Sequence, residues 1–485
     1  MSAMILKGKD ADWEVICGLE IHCQIISKSK IYSGASTHYG ADVNENVAFI
    51  DAGMPGMLPS LNKECVRQAI KTGLGLNAKI NKYSAFARKN YFYADLPQGY
   101  QITQDKFPIV GEGIVRIELE NGETKDIGIE RLHIEQDAGK SIHDISPTKT
   151  FIDLNRAGVG LMEIVTKPDF SSPEEAGAFL RKIRSIVRYL GTCDGNMDEG
   201  SMRCDASISI RKVGETILRP RAEVKNVNSV KFVMQAIEAE AKRQFEIYEC
   251  GGEMEQESRQ FDPSTGITKF MRKKEFADEY RYFPEPDLLP LVLSDEFINE
   301  VKNDMVELPD AKKERFVKEL GLTEYDARVI CENRDIAEFF ETAAKGHDAK
   351  KVANWLMGDF FAMLNEKKLS LADSPVSAEN LGALVELLSS DVINGKTAKD
   401  VFVIMAETGE APEKIVEERG LKQVTDTGAI EKIIDEIIAS NPDNVSAYKA
   451  GKVNLMGWFV GQVMKASQGK ANPGVVNKIL ASKLG

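Results

Sequence analysis

Between residue 13 and about residue 290 the chain alternates apolar and polar positions in short runs, whereas beyond about 300 apolar residues recur every three or four positions. Period two puts successive side chains on opposite faces of a strand, and a period near 3.6 draws an apolar stripe along a helix. The run Val15-Ile16-Cys17-Gly18-Leu19-Glu20-Ile21-His22-Cys23-Gln24 therefore predicts a strand with Cys17, Leu19, Ile21 and Cys23 inward and Glu20, His22 and Gln24 on the other face. The cleanest alternation is Ser201 to Arg211. Met202, Cys204, Ala206, Ile208 and Ile210 form its apolar face, and Ser201, Arg203, Asp205, Ser207, Ser209 and Arg211 its polar one. Ile129 to Glu135 aligns Arg131, His133 and Glu135, and Ala222 to Asn226 aligns Glu223 with Lys225.

Helix signals are fewer in this region but well marked. Ser172 as cap, Pro173 at the first position, Glu175 completing a capping box and Gly191 after the end predict a helix over 172–190. A second is expected from Ser229 to about Ile247. The segment Pro284-Glu285-Pro286-Asp287-Leu288-Leu289-Pro290 resists helix and marks a linker or an extended edge, and Thr408-Gly409-Glu410-Ala411-Pro412 is a weaker break. The expected architecture is an α+β sheet domain over residues 1–293, an all-α domain over 294–409 and a small all-α tail over 410–485.

A length of 485 residues fits about three domains, and 43% hydrophobic with 28% charged residues excludes disorder and fibrous classes. The start carries Lys7, Lys9, Asp10 and Asp12 without a signal-peptide stretch, and no apolar run reaches membrane-spanning length, so the expected compartment is the cytoplasm. A net charge of −13 argues against broad nonspecific binding to nucleic acid. The average conceals a gradient: Asn441 to Gly485 holds six lysines against one aspartate, a basic patch suited to phosphate contact on one face. Seven cysteines, an odd number without a Cys-x-x-Cys pair, fit reduced thiols better than a disulfide framework or zinc ribbon.

Glu20 and His22, two residues apart on one strand face, can share a ligand; Cys17 and Cys23 read as small buried hydrophobes rather than parts of a Cys-His-Cys metal site. Carboxylates on several strands, interleaved with Arg and Lys, are what a nucleotide-using ligase needs. Mg²⁺ bridges carboxylates to phosphates, and guanidinium or ammonium groups neutralise charge during phosphoryl transfer. An ordinary solvated sheet face would carry the same letters. Ala138-Gly139-Lys140-Ser141 is not a phosphate loop, because Ile134 stands where its first Gly belongs. There is no Gly-x-Ser-x-Gly elbow, no serine- and glycine-rich amidase loop and no His-Glu-x-x-His pair, so neither a hydrolase nucleophile nor a zinc protease is evident. The aromatic run Tyr91 to Tyr100, beside Arg88 and Lys89, could stack on a base or simply pack.

Six strings, in order along nearly the whole chain, resemble the B-subunit family of the tRNA-dependent Glu-tRNA(Gln)/Asp-tRNA(Asn) amidotransferase. They are Gly18-Leu19-Glu20-Ile21-His22, Asn90-Tyr91-Phe92-Tyr93-x-Asp95-Leu96-Pro97, His133-Ile134-Glu135-x-Asp137-Ala138-Gly139-Lys140, Gly200-Ser201-Met202-Arg203-Cys204-Asp205-Ala206, Glu223-x-Lys225-Asn226 and Tyr280-Arg281-Tyr282-Phe283-Pro284-Glu285-Pro286-Asp287. The resemblance implies a glutamine-synthetase-like cradle, a helical domain and a helical tail that meets tRNA. It also implies ATP- and Mg²⁺-dependent phosphorylation of a misattached Glu or Asp side chain, followed by amidation with ammonia from a separate amidase (A) subunit, with a small C subunit completing a heterotrimer. Carried over residue by residue, it assigns Glu20, His22 and Glu135 to metal contact, Asp205 and Glu223 to further Mg²⁺ contact, Arg203 and Lys225 to phosphate, and Lys465 and Lys470 to the tRNA backbone. Departures from the family pattern are Gln136, where many members have a second Glu, Gly160 in place of Pro, and Ser258 in place of Thr. A noncatalytic tRNA-binding scaffold is the competing reading, and a free-standing small-molecule ligase, which the basic tail disfavours, is a third.

Overall fold

The computed structural model describes residues 3–273, 280–423, 427–467 and 471–485. The chain forms two compact units, Met1–Pro309 and Asp310–Gly485. The first is built on a nine-stranded sheet of β1 (Ile5–Leu6), β2 (Trp13–Gln24), β3 (Gly113–Glu118), β4 (Thr124–Gln136), β5 (Gly160–Thr166), β6 (Met202–Lys212), β7 (Ala222–Val227), β8 (Glu257–Asp262) and β9 (Ile267–Lys273). The order is β9-β8-β7-β6-β2-β5-β4-β3, with β1 paired to the start of β2. Every neighbouring pair is antiparallel except β7 with β8.

Antiparallel sheets can cover one face and leave the other to solvent or a ligand, and this one does so as the alternation predicts. Val15, Cys17, Leu19, Ile21 and Cys23 of β2 are buried with Met202, Cys204, Ala206, Ile208 and Ile210 of β6. They share one core with the helices α1 (Lys63–Gly75), α2 (Pro173–Leu190) and α3 (Val230–Glu249). Cys17 and Cys23 thus lie opposite to His22, which removes the Cys-His-Cys site on geometry. All seven cysteines are thiols, and six are buried.

The start of α2 refines its sequence signature. The Ser172 hydroxyl accepts from the Glu175 N–H at 3.2 Å, as an N-cap should. The Glu175 carboxylate, however, accepts from the backbone N–H of Ser171 at 2.7 Å and from Lys125 at 2.8 Å, one residue upstream of the reciprocal bond of a capping box. Gly191 closes the helix with φ +67°, a conformation Gly adopts without a Cβ penalty. The loop before α1 is pinned by an ion pair that the hydrophobic pattern could not reveal. Lys30 Nζ lies 3.0 Å from Asp51 Oδ2, with side-chain exposures of 0% and 3%, and Lys30 also donates to the Leu154 carbonyl at 3.3 Å. A Cβ on Gly158 would meet Asp51 Oδ1 at 2.3 Å, so the glycine makes room for this pair.

The proline-rich seam is an extended edge. Phe283 and Pro284 pair with Arg88 and Ala87, Glu285 binds Arg88 at 2.7 Å, and Leu291–Val292 pairs with Tyr83–Ser84. The expected boundary at 293/294 also moves. Helix α4 (Asp295–Asn303) joins the first unit because Val301 completes its core, Phe297 lies under Lys63 and Arg67, and Glu300 pairs with Arg67.

In the second unit one core gathers helices from Phe316 to Val416, and another gathers Ile430 to Leu484. Gly409 ends its helix with φ +71°, but Ile415 and Val416 still pack in the earlier core, so apolar packing continues past the break expected at 409/410. No helix among the described residues is long and apolar enough to cross a membrane.

Candidate active site

The open face of the sheet carries a band of titratable side chains. Register sets Glu163 on β5 between His133 of β4 and His22 of β2, while Arg203 of β6 faces His22 from the other side. One step along, Glu20 lies between Val165 and Asp205. Four strands distant in sequence thus present one band of carboxylates, imidazoles and a guanidinium.

Within that band, ligand atoms of His22, Glu135 and Glu163 all lie within 4.8 Å of one another. His22 Nε2 is 3.2 Å from Glu163 Oε2, and His133 Nε2 is 3.5 Å from both Glu163 Oε2 and Glu135 Oε2. The Thr103 hydroxyl donates to Glu135 at 2.7 Å and fixes its rotamer. Burial works against a charged His133, but Glu163 and Glu135 outweigh it and raise its pKa to about 9. His22 is likewise opposed by burial and raised, chiefly by its hydrogen bond to Glu163. Glu163 is pushed up by burial and down more strongly by His133 and His22, so it stays ionised well below the usual carboxylate range. A buried His133 Nδ1 has no hydrogen-bond partner among the described residues.

The donor set fits a divalent cation. Two carboxylate oxygens suit Mg²⁺, and the imidazole nitrogen also admits softer first-row ions such as Mn²⁺. Of the sequence-predicted ligands, His22 and Glu135 meet in this cluster. Glu20, Asp205 and Glu223 lie outside it; Lys225 Nζ bonds both Asp205 and Glu223 at 2.9 Å and draws those two into an ion-paired group alongside. Arg203 Nη2 contacts the buried Asp137 at 3.0 Å, and Arg156 and Gln24 hold the same carboxylate at 3.6 and 3.1 Å. Gln136 uses its side chain and carbonyl for structure, bonding the Tyr100 carbonyl at 3.4 Å and accepting from Gln101 at 2.8 Å.

Sequence reasoning missed Glu163 as a ligand and Lys89 as a site cation. The signal for Glu163 was a single acid inside Leu161-Met162-Glu163-Ile164-Val165, an otherwise apolar strand. Lys89 stands over the rings of Tyr280 and Tyr91, at 4.8 and 5.7 Å from their centroids. Burial disfavours its charge, but Glu135, Tyr282 and Glu163 more than offset this and raise its pKa. Within the aromatic run Tyr91 packs against Lys89 and Tyr100 against Arg88, while Phe92 and Tyr93 stand 77% and 55% exposed. In the second unit Lys465 is exposed in the last turn of Leu455–Ala466, and Lys470 lies outside the described residues.

Fold and site define a sheet-platform protein whose open face carries a cluster of imidazoles and carboxylates that could hold a cation. Residues 15–299 match the family described as GatB/GatE catalytic domain, and residues 338–484 match the GatB domain. Relatives named as the B subunit of aspartyl/glutamyl-tRNA(Asn/Gln) amidotransferase are 60% identical over 482 residues in Paramagnetospirillum magneticum and 61% identical over 480 in Rhodospirillum rubrum, with 99% of each chain covered. One from Acidiphilium cryptum is 60% identical over 481 residues, again with 99% of each chain covered. The chain belongs to this family of amidotransferase B subunits.

Proposed function

We propose that this chain is the subunit of a tRNA-dependent amidotransferase that activates and amidates the side chain of Glu-tRNA(Gln), Asp-tRNA(Asn) or both. A carboxylate is a poor acyl electrophile. One of its oxygens therefore takes the γ-phosphoryl group of ATP, ADP leaves, ammonia attacks the acyl carbon, and phosphate departs as the amide forms. Ammonia comes from a partner amidase subunit, since this chain shows no hydrolase nucleophile motif, and a small third subunit completes the assembly. The sheet and its helices act as a glutamine-synthetase-like cradle, and the compartment is the cytoplasm.

The observation that carries this reading is the convergence of His22, Glu135 and Glu163 on one point of the open face. A divalent cation held there would neutralise phosphate charge. His133 orients Glu135 and Glu163, and Lys89 sets a positive charge beside them that can meet the developing acyl phosphate. Arg203 and Lys225 serve the phosphates, each held in place by its carboxylate partner. Closure against water protects the acyl phosphate. The basic helical tail, with Lys465 and Lys470, contacts tRNA phosphates.

The test is ATP-dependent amidation of Glu-tRNA(Gln) with free ammonia by the assembled enzyme carrying Glu163→Gln, alongside tRNA affinity. Lost amidation with retained tRNA binding supports the reading. Undiminished amidation would leave this chain only a tRNA-holding role.

A further inference from the structure

Part of the aromatic segment after Asn90 is left unused by the site. Tyr91 turns to Lys89, whereas Phe92 and Tyr93 remain exposed. Phe92 is nonetheless seated: a Cβ on Gly99 would lie 3.0 Å from its ring, so the glycine there, with φ +75°, leaves room for the ring to rest on the backbone. Large apolar rings in water cost solvation, and one held in place at the edge of a reactive site is a binding feature rather than a packing one. Arginines bracket the segment. At one end Arg272 Nη1 lies 3.1 Å from the Tyr93 hydroxyl. At the other, the Asn90 amide donates to the carbonyls of Tyr280 and Arg281 at 3.0 and 2.8 Å and fixes a turn in which Arg281 has φ +45°. That left-handed conformation is costly for a residue with a Cβ, and such outliers persist where the surroundings over-determine them, often at ligand clamps. The Arg281 side chain is exposed and has no hydrogen bond or ion pair among the described residues. Tyr91 and Tyr280, the chain neighbours of Phe92 and Arg281, flank Lys89, which in turn feels Glu135 and Glu163. One layer of tyrosines thus separates the exposed residues from the cation cluster.

We infer that Phe92 and Arg281 form a platform for the unpaired 3′ nucleotides of the aminoacyl-tRNA, just outside the place where the acyl group reacts. The inference deepens the function proposed above and rests on it. An acyl group that reacts beside Lys89 and Glu135 is carried by the last nucleotide, so the nucleotides before it lie at the rim. Single-stranded RNA is held by bases stacked on rings and by phosphates paired with cations. Phe92 offers its exposed ring to a base, and the Arg281 guanidinium, whose planar fork is free, pairs with a phosphate. The strained turn that Asn90 fixes holds that guanidinium at the rim instead of folding it back on the protein. Paired nucleotides have no unstacked base to lay on the ring, which confines the platform to the single-stranded terminus.

The test is a binding cycle on the assembled enzyme. Wild type, Phe92→Ala and Arg281→Gly are each titrated with intact tRNA(Gln) and with the same tRNA lacking its unpaired 3′ nucleotides. Phe92→Ala should weaken binding of intact tRNA about tenfold and leave truncated tRNA within about twofold. Glycine adopts the left-handed turn without strain, so Arg281→Gly should keep or raise the thermal midpoint while intact tRNA binds about threefold to tenfold more weakly; Arg281→Lys, which keeps the charge, should recover part of that loss. In amidation both Phe92→Ala and Arg281→Gly should raise the KM for aminoacyl-tRNA and leave the KM for ATP within about twofold. Equal losses for intact and truncated tRNA, no loss in either variant, or a rise confined to the KM for ATP overturns the inference. So does failure of Phe92→Ala to assemble with its partner subunits, which would give the ring to a protein interface. If the wild-type enzyme amidates no aminoacyl-tRNA, the proposed function itself fails and the inference with it; if it amidates and the binding cycle is flat, only the platform fails.

Discussion

On one face of β2, Val15, Cys17, Leu19, Ile21 and Cys23 are fully buried against helices and carry no charge; on the other, Glu20 and His22 stand in a band that also holds Glu135, Glu163, Arg203 and Asp205. The same twelve residues make both faces. The first is held by shape and area removed from water, roughly 1.5–3 kcal/mol for each large apolar side chain. The second keeps half-buried charges close together, each neutralised across a strand boundary: His22 by Glu163, Arg203 by Asp137, Lys225 by Asp205. The inner face sets stability, whereas the outer face stores charge in a fixed geometry for a ligand.

Mutations can break or sharpen this contrast. Glu163→Gln should have the largest effect, lowering kcat/KM for ATP-dependent amidation about a thousandfold or more. Ile21→Ala should do the reverse, costing about 2–5 kcal/mol in denaturant unfolding with the folded enzyme's kcat nearly unchanged. Glu20→Gln, outside the three-residue cluster, should cost only about tenfold in kcat/KM; a loss as large as that of Glu163→Gln would extend the ligand set to Glu20. Lys465→Ala should have the smallest effect, reducing the slope of log tRNA affinity against log salt by about one unit or less without touching ATP use. An unaltered slope would remove Lys465 from the tRNA contact.

Much of this contrast is legible in sequence, because period-two alternation assigns each strand residue to a face without knowledge of its neighbours. That is why Glu20, His22, Glu135, Arg203, Asp205 and Lys225 could be placed on polar faces. What alternation cannot supply is register between strands. Only pairing sets Glu163 between His22 and His133, and only pairing brings Asp205 to Lys225. Local signals have the same limit elsewhere. Ser172 capped as expected, but Glu175 reached Ser171 with help from Lys125, a residue on strand β4. Three prolines marked an extended segment correctly, while the end of the first unit depended on Val301 and Phe297 finding α1.

The claim that the outer face assembles a cation site from separate strands is tested most directly by equilibrium binding of Mn²⁺ to the assembled enzyme, wild type against Glu163→Gln, without nucleotide. The predicted result is that Glu163→Gln loses one bound ion, or weakens it more than about tenfold. Equal stoichiometry and affinity in the two proteins would contradict the account.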